Sequence, residues 1–133
     1  MYKILITFIF IFLLASKSYS EIIKKVNIIN NERITKETIL VFSDIKLGKD
    51  YTSNDLNQII KDLFSTNFFS DISLNLKDGT LIINVTENKI VQEIQINGIK
   101  KKELVEILKK QLLLKDKNPF VENFVTNDIE RIK

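Results

Sequence analysis

The sequence predicts an α+β fold in which two helices cover one face of a three-stranded mixed sheet, with this unit repeated in tandem. Apolar residues from Leu56 to Phe64 recur at helical spacing, and an Asp78-Gly79 pair joins two segments of alternating apolar residues. The same order of segments begins again at Val91. A hairpin with one apolar face must be covered, and the amphipathic helices are the natural cover.

Residues 1–20 are predicted to be a signal peptide rather than part of the fold. Lys3 supplies a short positive segment, residues 4–14 are almost wholly apolar, and Ser18-Tyr19-Ser20 offers small residues at a cleavage site before Glu21. A retained membrane anchor is the alternative, but a spanning helix needs about 20 apolar residues and this segment is shorter. We therefore expect export and cleavage.

The first unit is predicted to open with a strand from Ile22 to Ile29, followed by a short helix. Thr35 is the expected N-cap, and Ile34 before it is placed to contact Ile39 as a hydrophobic staple. The predicted core side of this helix consists of Ile39, Leu40 and Phe42.

A second helix is predicted after a turn at residues 47–50, with Thr52 or Ser53 as its cap. Asn67 is expected to end the helix, because asparagine tolerates the left-handed position after a helix better than any residue except glycine. Phe69 leads into the hairpin and is expected to pack under the helices. The apolar stripe of the helix consists of Leu56, Ile59, Ile60, Leu63 and Phe64.

The hairpin is predicted in detail, because its turn and its apolar pattern agree. A two-residue Asp78-Gly79 loop favours a type I′ turn, which fixes the register of the two strands. On the opposite face from the apolar residues, Ser73 should meet Asn84. The facing apolar pairs should be Leu76 with Leu81, Leu74 with Ile83, and Ile72 with Val85.

The repeat is predicted from apolar positions that recur at a constant offset. The offset superposes Val26 on Ile94 and Ile28 on Ile96, and after one inserted residue it superposes Tyr51 on Phe120. The further matched pairs are Ile39 with Ile107, Leu40 with Leu108, Leu56 with Val125, Ile60 with Ile129, and Leu63 with Ile132. We therefore expect a first domain at residues 21–88 and a truncated second domain at residues 89–133, which stops inside its second helix.

Composition argues against several classes of function. The chain has no cysteine and no histidine, so disulfides, the usual zinc ligands and the usual catalytic base are missing. Its three glycines form no phosphate-binding loop. The lysine clusters alternate with glutamates, and removal of Lys3 and Lys17 with the leader leaves a nearly neutral chain. We predict no enzyme activity, no cofactor or metal and no nucleic-acid partner.

Several short motifs fall at the ends of the predicted elements. They are Arg33-Ile34, residues 63–72, residues 78–81, Val85-Thr86-Glu87, Ile90, and residues 94–98 ending at the junction residue Gly98. With the order β-α-α-β-β, these motifs resemble the POTRA family, the polypeptide-transport-associated repeat. The family usually has glycine at the positions of Asn30 and Asn67, and often proline at the position of Lys89. The loss of that proline is expected to loosen the hinge between units.

The resemblance implies a function in binding polypeptides. POTRA repeats form a periplasmic arm ahead of a membrane β-barrel, at the periplasmic face of the outer membrane. The implied partners are unfolded outer-membrane proteins, accessory assembly lipoproteins and periplasmic chaperones, and the implied activity is help in inserting those proteins into the membrane. A client would add a strand to a free sheet edge. The edge residues implied by the resemblance are Asp71, Ile72, Ser73, Leu74, Asn75 and Leu76, with Asn67, Phe69, Asp78, Gly79 and Gly98 as structural residues.

Two alternatives lie within the same fold. A two-partner-secretion or translocation transporter also carries POTRA repeats, typically two rather than five. A division protein held in the inner membrane carries one as well, and an uncleaved segment at residues 4–14 would favour it.

Overall fold

The structure, a computed structural model, describes residues 20–132, so the predicted leader lies outside the described residues apart from Ser20. In chain order the elements are β1 (Glu21–Ile22), β2 (Lys25–Ile29), α1 (Lys36–Ser43), β3 (Asp50–Tyr51), α2 (Ser53–Ser65), β4 (Phe69–Lys77), β5 (Thr80–Glu87), α3 (Lys102–Gln111) and α4 (Glu122–Ile132).

The main sheet has three strands in the order β2-β5-β4. Strand β5 is central, and it pairs in parallel with β2 and antiparallel with β4. Helices α1 and α2 lie on one face of this sheet, where the core is formed. The predicted α+β fold with a mixed sheet is confirmed.

The core is built from the apolar face of the sheet and the inner sides of the two helices. Strand β5 contributes most, because alternate residues of a central strand lie fully beneath the cover. The buried core residues are Ile23, Ile28, Ile39, Tyr51, Ile59, Leu63, Phe69, Ile72, Leu81, Ile83 and Val85.

Both helices of the first unit begin at the predicted caps. The Thr35 hydroxyl accepts a hydrogen bond from the Thr38 amide at 3.2 Å. Thr52 forms a capping box with Asp55, whose carboxylate accepts the Thr52 amide at 2.8 Å. Hydrogen bonds from Thr52 lower the pKa of the Asp55 carboxyl. After α2 the chain turns at Asn67, where φ is 59°.

The predicted first strand from Ile22 to Ile29 is wrong as a continuous element, because it breaks between β1 and β2. Strand β1 pairs with β3 in a separate antiparallel sheet. The Ile23 amide donates to the Lys49 carbonyl, and both the Lys24 and the Lys25 amides donate to the Gly79 carbonyl. The chain therefore changes partners within two residues, with the Ile23 side chain fully buried at the break.

The predicted core side of α1 is correct only at Ile39. Leu40 and Phe42 are 37% and 42% exposed, whereas the small Ser43 is buried. Residues 39 and 43 are one helical turn apart and share one face, so α1 buries a narrow stripe. Phe42 instead makes an edge contact with Phe68, with the ring centroids 5.8 Å apart.

A backbone contact of residues 21–88 recurs at the equivalent positions of residues 89–132. The Gly48 amide donates to the Ile23 carbonyl at 2.7 Å, and at the equivalent positions the Lys117 amide donates to the Val91 carbonyl at 2.7 Å. Gly48 and Lys117 also share a left-handed backbone, with φ of 81° and 64°. These matched contacts support the predicted repeat at the level of geometry.

The predicted strand of the second unit is absent from the structure. The segment from Val91 to Asn97 forms no strand, although its sequence alternates as β2 does. Within residues 20–132 no strand lies beside it to play the part that β5 plays for β2. An alternating segment becomes a strand only when its backbone groups find a partner.

Candidate functional site

The candidate site is the outer edge of β4, which ends the main sheet. Strand β4 runs over nine residues and pairs only with β5 among the described strands. The turn joining the two strands is of the predicted type, since φ is 53° at Asp78 and 76° at Gly79. The predicted pairs of Leu76 with Leu81, Leu74 with Ile83, Ile72 with Val85 and Ser73 with Asn84 are all present.

The turn determines which amides of β4 point away from the sheet. A β-turn joins its first and fourth residues, so Lys77 and Thr80 form a hydrogen-bonded pair. Hydrogen-bonded and non-bonded pairs alternate along an antiparallel ladder. Ser73 and Asn75 therefore bond to β5. The residues that direct their N–H and C=O groups outward are Ile72, Leu74 and Leu76.

The side chains of the edge separate onto two faces. Ile72 is buried and Leu74 and Leu76 are half-buried on the helix side, while Ser73 and Asn75 are exposed on the other side. No proline or lysine interrupts β4 before Lys77, so two common defences of a free edge are missing. A bulge lies at the start of the strand, between Phe69 and Asp71.

Of the predicted structural residues, Phe69, Asp78 and Gly79 lie at the start and at the turn of this hairpin. Phe69 is buried in the core cluster at the base of β4. A Cβ atom at Gly79 would approach the flexible Lys24 side chain to 3.0 Å, which that side chain can relieve by a small shift, so the φ of 76° is the stronger reason for glycine there. Gly98 has a φ of 88° but open space around it, so only its backbone conformation favours glycine.

Sequence reasoning missed a carboxylate at the far end of the sheet. The Glu87 side chain is only 4% exposed, and its Oε1 accepts the backbone amides of Glu32, Arg33 and Ile34 at 2.8, 2.9 and 2.9 Å. Its Oε2 accepts from the Arg33 Nε at 3.0 Å. Burial raises the pKa of Glu87, but these hydrogen bonds and the Arg33 charge outweigh it and lower that pKa overall. The only signal in the sequence was the Val85-Thr86-Glu87 motif.

The described part of the chain holds no cluster of three or more His, Cys, Asp or Glu side chains able to hold a metal ion. Between Ser20 and Ile132 no helix combines the length and the hydrophobicity that crossing a bilayer requires.

The sequence model of POTRA, described as a surface antigen variable number repeat, matches residues 21–88. The chain belongs to the POTRA family. The matched residues include every strand of the main sheet, both covering helices and the candidate edge.

Two curated relatives are both named outer membrane protein assembly factor BamA. The protein from Neorickettsia risticii (strain Illinois) is 26% identical over 92 residues, which is 69% of this chain and 12% of the relative. The protein from Neisseria meningitidis serogroup B (strain ATCC BAA-335 / MC58) is 30% identical over 69 residues, which is 52% of this chain and 9% of the relative. The chain thus spans about a tenth of the length of these relatives.

Solved POTRA structures share the fold. The N-terminal domain of Omp85 from Thermosynechococcus elongatus superposes with a TM-score of 0.59 at 16% identity, covering 87% of this chain and 51% of that one. POTRA1-2 of the periplasmic domain of Omp85 from Anabaena gives a TM-score of 0.58 at 16% identity, covering 87% and 78%. The resemblance inferred from the motifs is confirmed.

Proposed function

We propose that this chain is the polypeptide-receiving POTRA region of an outer-membrane protein assembly factor. In this role it lies on the periplasmic side of the outer membrane, receives unfolded outer-membrane proteins and helps their insertion. Accessory assembly lipoproteins and periplasmic chaperones are the further partners proposed. The names of the two curated relatives support the assignment to outer-membrane assembly.

The observation that carries the proposal is the free edge of β4. Ile72, Leu74 and Leu76 present backbone donors and acceptors at every second residue, which is the spacing of an added β-strand. Backbone pairing tolerates many client sequences, as a general assembly factor requires. The half-buried Leu74 and Leu76 would gain cover from apolar side chains of the client.

A peptide titration tests strand addition directly. The chain from Glu21 to Lys133 is isotope-labelled and titrated with a short peptide in which apolar and polar residues alternate. We expect amide shifts concentrated at Ile72, Leu74 and Leu76. The matched control is the same peptide with N-methyl groups on alternate residues, which keeps the side chains and removes the donors on one edge. Shifts confined to β2, the other edge strand, would contradict the proposal.

Variants of the protein separate backbone from side-chain recognition. Ser73→Ala and Asn75→Ala change exposed side chains whose amides already bond to β5, so we expect little effect on affinity. Replacing the Leu74 amide by an ester, through protein semisynthesis, removes one outward donor and keeps the side chain. We expect this replacement to weaken peptide binding by roughly 0.5–1.5 kcal/mol, the net contribution of one hydrogen bond.

We also propose that residues 1–20 are a leader removed on export, and that residues 21–88 and 89–133 belong to successive domains. N-terminal sequencing of the exported protein should find Glu21 or a close neighbour as the first residue. A protein that retains residues 4–14 in the inner membrane would favour the anchored alternative.

A further inference from the structure

The two units meet without a free linker residue. The Asn88 amide donates to the Phe68 carbonyl at 2.8 Å, and its side-chain amide donates to the Asn67 carbonyl at 2.9 Å. The next residue, Lys89, already accepts the Phe120 amide of the second unit at 2.6 Å. One peptide bond therefore joins a residue held by the first unit to a residue held by the second.

An ion pair between the exposed Arg33 and the nearly covered Glu87 side chain lies directly behind this connection. Glu87 is bonded to three backbone amides of the loop before α1 and to the Arg33 Nε. The other end of the Arg33 guanidinium donates to the Asn88 carbonyl. The guanidinium thus bridges the Glu87 carboxylate and the last backbone group that belongs to the first unit. We call Arg33, Glu87 and Asn88 the junction clamp.

The clamp also borders the cleft between the units. Arg33 and Glu87 line this cleft on one side, and Gln92 and Lys117 line it on the other. The Lys117 Nζ donates to the Gln92 side chain at 3.3 Å within the second unit. Each side of the cleft is bonded within its own unit. We therefore expect the angle between the two units to depend on how firmly Asn88 is held at the junction.

We propose that Arg33 and Glu87 are positioning residues that hold the second POTRA unit at one angle to the first. The Asn88 carbonyl belongs to the peptide group that leads into Lys89, so fixing it restricts rotation about the junction. The charge-assisted bonds of the clamp are stronger than neutral ones, and the Glu87 side chain that accepts them is only 4% exposed. The clamp sets the direction in which successive units follow one another, and it does so whether or not β4 binds a client.

Distances between spin labels test the clamp. The full chain has no cysteine, so Lys61→Cys on α2 and Glu106→Cys on α3 give one label in each unit. Lys36→Cys with Lys61→Cys gives a reference pair inside the first unit. We expect one narrow distance between the units in the otherwise unaltered protein, and loss of that narrow distance in Arg33→Ala and Glu87→Ala. The reference pair should be unchanged in Arg33→Ala.

Arg33→Ala is the decisive variant, because it removes the guanidinium and leaves the three backbone bonds to Glu87 intact. It should leave the first unit folded even where Glu87→Ala does not, since the Arg33 side chain is 44% exposed. Glu32→Ala is the matched control, as it removes a neighbouring carboxylate whose side chain makes no hydrogen bond within residues 20–132. A narrow distance retained in Arg33→Ala, or one lost equally in Glu32→Ala, would overturn the proposal.

Discussion

At the scale of single residues, Glu87 shows how a buried carboxylate can organise a loop. The three amides that meet at its Oε1 belong to consecutive residues, Glu32 to Ile34, so the loop before α1 curves around one oxygen atom. Backbone donors outside helices and strands need an acceptor other than a ladder partner, and here the carboxylate supplies it. The carboxylate thus stabilises a loop that has no regular secondary structure.

The pKa of Glu87 gives this arrangement a pH dependence. The pKa of Glu87 in the folded protein lies below the ordinary value of 4.5, so the ionised carboxylate stabilises the fold at pH values above 4.5. This stabilisation is lost as the pH falls through the folded-state pKa. We expect Glu87→Gln to be less stable than the unaltered protein at neutral pH and to lose less stability on acidification. Urea unfolding at a series of pH values between neutral and acidic would measure both. Parallel pH profiles for the two proteins would contradict the assignment.

At the scale of elements, Phe69 is a buried aromatic member of the core in which the hairpin packs against α2. Phe69 is 3% exposed beneath the helices, whereas Phe64 on α2 is 39% exposed. Large-to-small changes in a core destabilise by roughly 3–5 kcal/mol, and small domains have only about 5–15 kcal/mol in total. We expect Phe69→Ala to unfold much of the first unit and Phe64→Ala to have a far smaller effect, as followed by circular dichroism. Equal losses would mean that Phe69 does not anchor the hairpin.

The elements that were predicted well are those specified by neighbouring residues. The Asp78-Gly79 turn and the alternation on either side fix the same register, and the Thr35, Thr52 and Asn67 caps act within a few residues. Local signals of this kind involve residues close together in the sequence, so they can be recognised without knowledge of the fold. The conformations at these positions could therefore be derived before the fold was known.

The elements that were missed depend on partners far along the chain. Pairing of β1 with β3 involves two residues from each strand, too few to leave an alternating pattern. The exposure of Leu40 and Phe42 depends on the angle at which α1 meets the sheet, which helical spacing alone does not specify. The Glu87 bonds join residues more than fifty positions apart, and the motif containing Glu87 shows no partner.

The position of the candidate edge could be predicted from the sequence, but the prediction did not say which backbone groups point outward. The apolar pattern places Ile72, Leu74 and Leu76 on the covered face, and the structure confirms their register. The same three residues also carry the outward backbone groups, a consequence of where the ladder begins at Lys77 and Thr80. Whether the edge binds polypeptide stays a prediction.

At the scale of the whole molecule, stability is expected to differ between the two units. The buried apolar cluster extends from Ile23 to Val85, and beyond it Leu112 is the only buried apolar residue in the described part of the chain. We expect slow hydrogen exchange at the β5 amides, near the free energy of global unfolding, and faster exchange in α3 and α4. Mass spectrometry of peptides after exchange would measure this difference. Uniform protection through α4 in a monomer would contradict it.

The parallel pairing of β2 with β5 has a consequence for the order of folding. Lys25 pairs with Thr80, so β2, which precedes both helices in the chain, meets its partner only after both helices and the hairpin turn have been passed. Closing such a long loop is slower than closing the two-residue turn at Asp78-Gly79. In a chain synthesised from its N-terminus, β2 would therefore remain unpaired while α2, β4 and β5 assemble. Until β2 docks, the open edges of the sheet belong to β4 and β5, whereas in the finished sheet they belong to β4 and β2, so the strand that ends up central is exposed to pairing only while the unit folds.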